Sequence, residues 1–186
     1  FVSSNISLEK FDLVILPGSK LVIKDLIWLK ETGLFNQIQN YNKNICAICG
    51  GYEMMFESLN DIYALENEES SKEEGFGFIP DEIVFEKEKV LEKKTYELFG
   101  EKIEGFEIHH GISKNYPLSF EKENFKGTFV HQIFDNNEFR TKYFKSIKAD
   151  YVGFDFQEYK KQTIDNFIST LKAKLDVEYI LESIGK

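Results

Sequence analysis

Apolar residues near the start of the chain gather in short unbroken runs. Residues 12–16 (Asp-Leu-Val-Ile-Leu) and 44–48 (Asn-Ile-Cys-Ala-Ile) carry aliphatic side chains without polar alternation, the pattern of strands buried on both faces of a parallel sheet. Between them, residues 21–41 place Leu26, Leu29, Leu34, Phe35 and Ile38 at helical spacing, and Gly33 divides the stretch into two helical pieces. The second strand runs into Cys49-Gly50-Gly51, and a helix is expected to follow over residues 52–58. Strand, helix, strand, helix in this order predicts an α/β fold. Residues 66–74 are acidic and serine-rich and read as a solvated loop, while residues 1–4 form an apolar scrap able to end or form a strand. Alternating stretches at 82–85 and 93–99, followed by 101–109, read as extended strands in a hairpin-like segment. A last short strand is expected over 127–133 and helices over 136–146, 157–175 and 177–184. Without an internal repeat or a low-complexity linker, residues 1–186 read as one domain.

Composition narrows the function more than the fold. Thirty-two acidic against 23 basic residues leave a net charge of −9, which disfavours nucleic acid and anionic membrane surfaces as partners. No apolar run reaches membrane-spanning length and no leader-like segment opens the chain. Together with only two cysteines, Cys46 and Cys49, this fits cytoplasmic thiols better than a disulfide.

The segment Ile48-Cys49-Gly50-Gly51-Tyr52 carries the sharpest chemical signal. A nucleophile between a buried strand and a helix is a nucleophile elbow, and its strained turn needs small neighbours. The helix N-terminus behind it is expected to lower the thiol pKa and to offer N–H groups, Gly50 first, to an oxyanion. A cysteine nucleophile needs a base, and the three histidines are His109, His110 and His131. His131 closes Gly127-Thr128-Phe129-Val130-His131 at the end of an expected strand, on the sheet edge where α/β sites form. Leu16-Pro17-Gly18-Ser19-Lys20 is a tight turn on the same edge, and Gly18 can supply the second oxyanion N–H. Cys46, Cys49, His109 and His110 also admit a zinc reading, against which Cys46 stands inside an apolar strand.

These segments together resemble the glutamine amidotransferase domain of the cobyric acid synthase family. The resemblance runs through residues 11–20 and 25–29, the Cys49 elbow, Gly75-Phe76-Gly77-Phe78-Ile79-Pro80, Gly105-Phe106-Glu107-Ile108-His109-His110-Gly111 and the His131 segment, and ends at Leu175-Asp176-Val177. It implies a flavodoxin-like, mostly parallel sheet with helices on both faces. It also implies a Cys49–His131 dyad, Gly18 and Gly50 as oxyanion hole, Tyr52 and Glu53 at the substrate, and Glu107 and His109 in support. No metal or cofactor is expected in this domain. ATP and Mg2+ would belong to an upstream synthetase domain, which with an opening strand would precede residue 1, and no phosphate-binding loop occurs in this chain. The implied partners are L-glutamine and, through that domain, adenosylcobyrinic acid a,c-diamide. The chain departs from the family at Glu53, where glutamine is usual, at Gln132, where glycine is usual, and at Leu21, where asparagine is usual. The alternatives are a lipid II isoglutaminyl synthase-type glutaminase subunit, another cysteine hydrolase such as a peptidase, and a non-catalytic binding domain of amidotransferase shape.

Overall fold

A computed structural model describes residues 6–185. The apolar segment at residues 1–4 lies outside the described residues. The chain divides into two compact units, residues 1–133 and 134–186.

The first unit is built on the two aliphatic runs. Strand β1 (Leu13–Leu16) pairs in parallel with β2 (Asn44–Ile48). Their connection is helix α1 (Val22–Glu31) and helix α2 (Leu34–Gln39), joined at Gly33 with a φ of 76°. The helical turn of residues 50–53 is α3 (Gly50–Glu53). Further along, β7 (Ser119–Lys122) and β8 (Phe125–Thr128) complete a sheet of order β1-β2-β8-β7, in which β8 is parallel to β2 and β7 antiparallel to β8. The register aligns Leu16 with Ala47 and Ile48 with Thr128, so the three parallel strands end at one level.

A second sheet accounts for the rest. Its order is β4-β3-β5-β6, from β3 (Phe56–Asp61), β4 (Ser71–Glu74), β5 (Ile79–Leu98) and β6 (Glu101–Ile112). Only β3 and β5 are parallel in it, and β5–β6 is a long antiparallel ribbon. The fold is thus α/β as expected, with the parallel strands confined mainly to the first sheet. Tyr52, Met55, Phe56, Leu59, Ile79 and Phe129 are fully buried and belong to the core.

Three boundaries differ from the sequence reading. The helix after the elbow stops at Glu53, because Phe56 and Leu59 are buried at strand spacing and draw residues 56–61 into β3. The acidic loop is strand at its end: Ser71–Glu74 pairs with β3, and its charges suit an edge strand. The expected strand at 127–133 closes at Thr128, and Gln132 takes a left-handed φ of 64°.

The second unit holds α4 (Asn137–Ile147), α5 (Phe156–Lys174) and α6 (Val177–Ser183). Its organising polar group is the buried Arg140, whose guanidinium donates to Phe134 O, Asn137 Oδ1 and Phe154 O and lies over the Phe154 ring. No described helix is long and apolar enough to cross a membrane.

Two glycines should respond differently to a methyl group. At Gly51 a Cβ would stand 2.3 Å from Leu16 O, a backbone atom that cannot swing away. At Gly33 nothing lies within 4 Å and only the positive φ is strained. Urea unfolding should show Gly33→Ala costing about 1 kcal/mol and Gly51→Ala more, toward the roughly 3 kcal/mol end of overpacking. The reverse order would contradict the packing of the elbow.

Candidate active site

The level ends of β1, β2 and β8 deliver three segments to one place. The turn Pro17-Gly18-Ser19 follows β1, Cys49 follows β2, and residues 129–131 follow β8. Cys49 has φ 51° and ψ −114°, a conformation costly for a residue with a side chain. Neighbouring backbone holds it there: Cys49 N–H donates to Thr128 O at 2.9 Å and Gly51 N–H to Pro17 O at 3.0 Å. A Cβ at Gly50 would meet Ser19 N at 2.6 Å, so both glycines are demanded by the close approach of the β1 turn.

Gly18 lies close to both expected reactive groups. A methyl on it would lie 3.2 Å from His131 Cε1 and 3.6 Å from Cys49 Cβ. His131 is fixed from the other sheet. Its N–H donates to Phe106 O at 2.8 Å, and its ring stacks on Phe106 at 4.9 Å with a 5° tilt. His131 Nε2 is buried and has no partner among the described residues. Burial, and next the neighbouring His109, hold the His131 pKa below its usual value, so the ring is neutral and ready to accept a proton.

The cleft around them has a volume of about 460 Å³ and is lined by Gly18, Cys49 and His131 together with Glu53, Glu66, Lys89 and His110, among others. The ribbon forms its far wall. Residues 86–89 of β5 stand opposite His110 alone, a bulge pinned by the 2.8 Å contact between His110 Nδ1 and Glu86 O. Such bulges re-aim side chains at active sites, and this one brings Lys89 to the cleft.

The thiol is not pre-ionised. Burial, and after it the charge of Glu53, push the Cys49 pKa up to about 12, while Gly50 N–H and Lys89 act in the opposite direction. The sulfur donates to Ile108 O at 3.7 Å, a bond that suits the neutral thiol. The expectation of a thiol acidified by a helix N-terminus is therefore corrected. A four-residue helix carries little dipole, and desolvation outweighs it.

The remaining expected residues separate. Glu53 lines the cleft. Tyr52 does not: it is fully buried against Phe56 and Phe129, and its hydroxyl donates to Tyr116 O at 3.3 Å. Its expected place at the substrate is corrected to a core role, because α3 turns it away from the cleft. Glu107 and His109 pair at 3.2 Å, with His109 Nδ1 on Gly111 O at 2.7 Å and its ring stacked on Phe129 at 3.8 Å. They stiffen β6 behind His131. Cys46 and Cys49 form no disulfide, and no metal-binding cluster of His, Cys, Asp or Glu forms among the described residues. Sequence reasoning missed Glu66 and Lys89, and weighed His110 only as one of the three histidines and in the zinc reading. Glu66 sits in an acidic run that looks solvated, and only the bulge singles out Lys89 and His110.

Comparison with known proteins shows the family. Residues 1–139 match the model of the CobB/CobQ-like glutamine amidotransferase domain. The chain belongs to that family. Among relatives of this amidotransferase domain, a cobyric acid synthase of Acinetobacter baylyi is 58% identical over 184 residues, 99% of this chain and 40% of the relative. One of Ruminiclostridium cellulolyticum is 33% identical over 224 residues, 99% of this chain and 43% of the relative. The chain thus spans about two fifths of the length of the curated relatives it matches. A crystal structure of a glutamine amidotransferase shares the fold with a TM-score of 0.57 at 12% identity, covering 75% of this chain and 80% of that one.

The raised thiol pKa gives a direct test of the amidotransferase site at rest. Without glutamine, the rate of Cys49 alkylation by iodoacetamide, read by peptide mass spectrometry, should keep rising about tenfold per unit from about pH 8 to about pH 10. A plateau below about pH 9 would mean that the thiol is acidic after all.

Proposed function

We propose that this chain is the glutaminase part of a cobyric acid synthase, releasing ammonia from L-glutamine for the ATP-dependent amidation of corrin side-chain carboxylates. The observation that carries the reading is that Cys49 and His131 both lie close to Gly18 and line one cleft of an amidotransferase fold. The 58% identity to a cobyric acid synthase across almost the whole chain supports the pathway.

In this reading His131 takes the thiol proton and the Cys49 thiolate attacks the side-chain amide carbon of glutamine. The N–H groups of Gly18 and Gly50 receive the oxyanion; the effect of Gly50 N–H on the Cys49 sulfur supports its part. As the carbon–nitrogen bond breaks, His131 returns the proton to the leaving ammonia, and a γ-glutamyl thioester remains on Cys49. Water then attacks the thioester, His131 takes its proton and passes it to the departing sulfur, and glutamate leaves. Because the thiol is neutral at rest, proton transfer to His131 belongs to the reaction rather than preceding it. Carboxylate activation, with ATP and Mg2+, takes place in a part of the polypeptide outside this chain, with adenosylcobyrinic acid a,c-diamide as acceptor. Two cysteines that form no disulfide support a cytoplasmic setting.

In the protein at its natural length, Cys49→Ala should abolish glutamine-dependent amidation and leave ammonia-dependent amidation intact. His131→Ala should lower glutamine hydrolysis by about 10²- to 10⁴-fold. Both rates are read by ammonia release and product chromatography. Glutamine hydrolysis that survives Cys49→Ala would overturn the assignment.

A further inference from the structure

Glu53 is an acid in an unusual place. It is 2% exposed, follows the nucleophile by one turn, and its N–H donates to Cys49 O at 2.9 Å. Its carboxyl is pressed against β6, where a methyl on Gly111 would come within 2.3 Å of Oε1, and it accepts the Gly111 N–H. Among the described residues no cation forms an ion pair with it. The charged and titratable groups facing it across the cleft are Cys49, Glu66 beyond β3, Lys89 on β5, His109 and His110 on β6, Lys20 in the β1 turn, and His131. Glu66 is itself anchored by Val22 N–H at 2.5 Å, which holds this second acid in the same space.

Three physical arguments converge. A carboxylate buried without a cation is unstable, and the neutral acid is the form such a site tolerates. A second acid nearby disfavours ionisation further. The chemistry proposed for Cys49 passes through a thiolate and then an oxyanion, and a fixed negative charge one helical turn away opposes both. A neutral carboxylic acid instead offers one donor and one acceptor, as a carboxamide does.

We propose that Glu53 acts as a protonated acid that sets the charge beside Cys49, and that its ionisation switches glutamine hydrolysis off on the alkaline side. This rests on the glutaminase reading above. Burial, and secondly Glu66, push the Glu53 carboxyl up to about 8, against the opposing Gly111 N–H, so the switch falls just above neutral pH. Glu66 is also raised, mainly by burial, while the N–H groups of Val22 and Ile23 moderate it.

The test is the pH profile of kcat/KM for glutamine hydrolysis in the natural-length protein, for wild type, Glu53→Gln and Glu66→Gln. Wild type should fall about tenfold between about pH 7 and about pH 9. Glu53→Gln, which keeps the shape and removes the titration, should show no such fall. Glu66→Gln should move the alkaline limb to lower pH, because losing a negative neighbour makes Glu53 easier to ionise. An unchanged limb in Glu53→Gln, or a limb moved upward in Glu66→Gln, would overturn the proposal. A folded but inactive Glu53→Gln would do the same, by showing that the carboxyl itself is needed.

A second readout needs no activity. An acid whose pKa is raised by folding contributes stability that is present at low pH and lost as pH rises from about 4.5 toward about 8. Wild type should therefore lose stability relative to Glu53→Gln across that window in urea unfolding, and parallel curves would show that Glu53 is not held protonated. If wild type hydrolyses no glutamine at any pH, the glutaminase reading fails, and this second readout still decides whether the acid carries its proton. Should Glu53→Gln not fold, the direction of the Glu66→Gln shift decides.

Discussion

The site depends on how closely the β1 turn approaches the backbone after Cys49. Gly51 lies so near Leu16 O, and Gly50 so near Ser19 N, that only hydrogens fit between them. That approach holds Cys49 in its strained conformation, and the bonds to Thr128 O and Pro17 O keep it from relaxing. It also sets Gly18 against both Cys49 and His131. A larger residue at any of these glycines would separate strand ends that the sheet register brings level. The parallel pairing of β1, β2 and β8 is thus the source of the site's geometry, and the glycines let that geometry close.

The second sheet supplies what the first cannot. Through Phe106 it orients the His131 ring, through Ile108 O it receives the resting thiol, and through Gly111 it buries Glu53. Each of these comes from β6, whose inner face is stiffened by the Glu107–His109 pair. The electrostatic result is a nucleophile kept neutral by desolvation, with a neutral histidine nearby as proton acceptor. Such a site ionises its thiol only when a proton acceptor and an incoming electrophile are both in place.

Much of this was legible in the sequence. The runs at residues 12–16 and 44–48 announced parallel strands, but only β2 is buried through its middle, while β1 is an edge strand that leaves Ile15 exposed; the Gly-Gly after Cys49 announced the elbow because no other residue fits there. Gly33 marked the helix break because its φ is positive. Legibility failed where tertiary packing overrode local pattern. Residues 56–61 look able to continue a helix, but Phe56 and Leu59 pack as strand residues. Tyr52 beside the nucleophile looked like a substrate contact, and a four-residue helix turned it into the core. Lys89 had no local signal, and His110 was visible only as a histidine, since a bulge is a relation between two strands and cannot be read in either alone.

The central claim is that Cys49, in this elbow, is the atom that attacks glutamine. The most direct measurement is intact and peptide mass spectrometry after incubation with 6-diazo-5-oxo-L-norleucine, a glutamine analogue that alkylates an amidotransferase nucleophile. One adduct is expected, located on Cys49, slowed by excess glutamine and lost in Cys49→Ala. An adduct on Cys46, or none on folded protein of natural length, would contradict it.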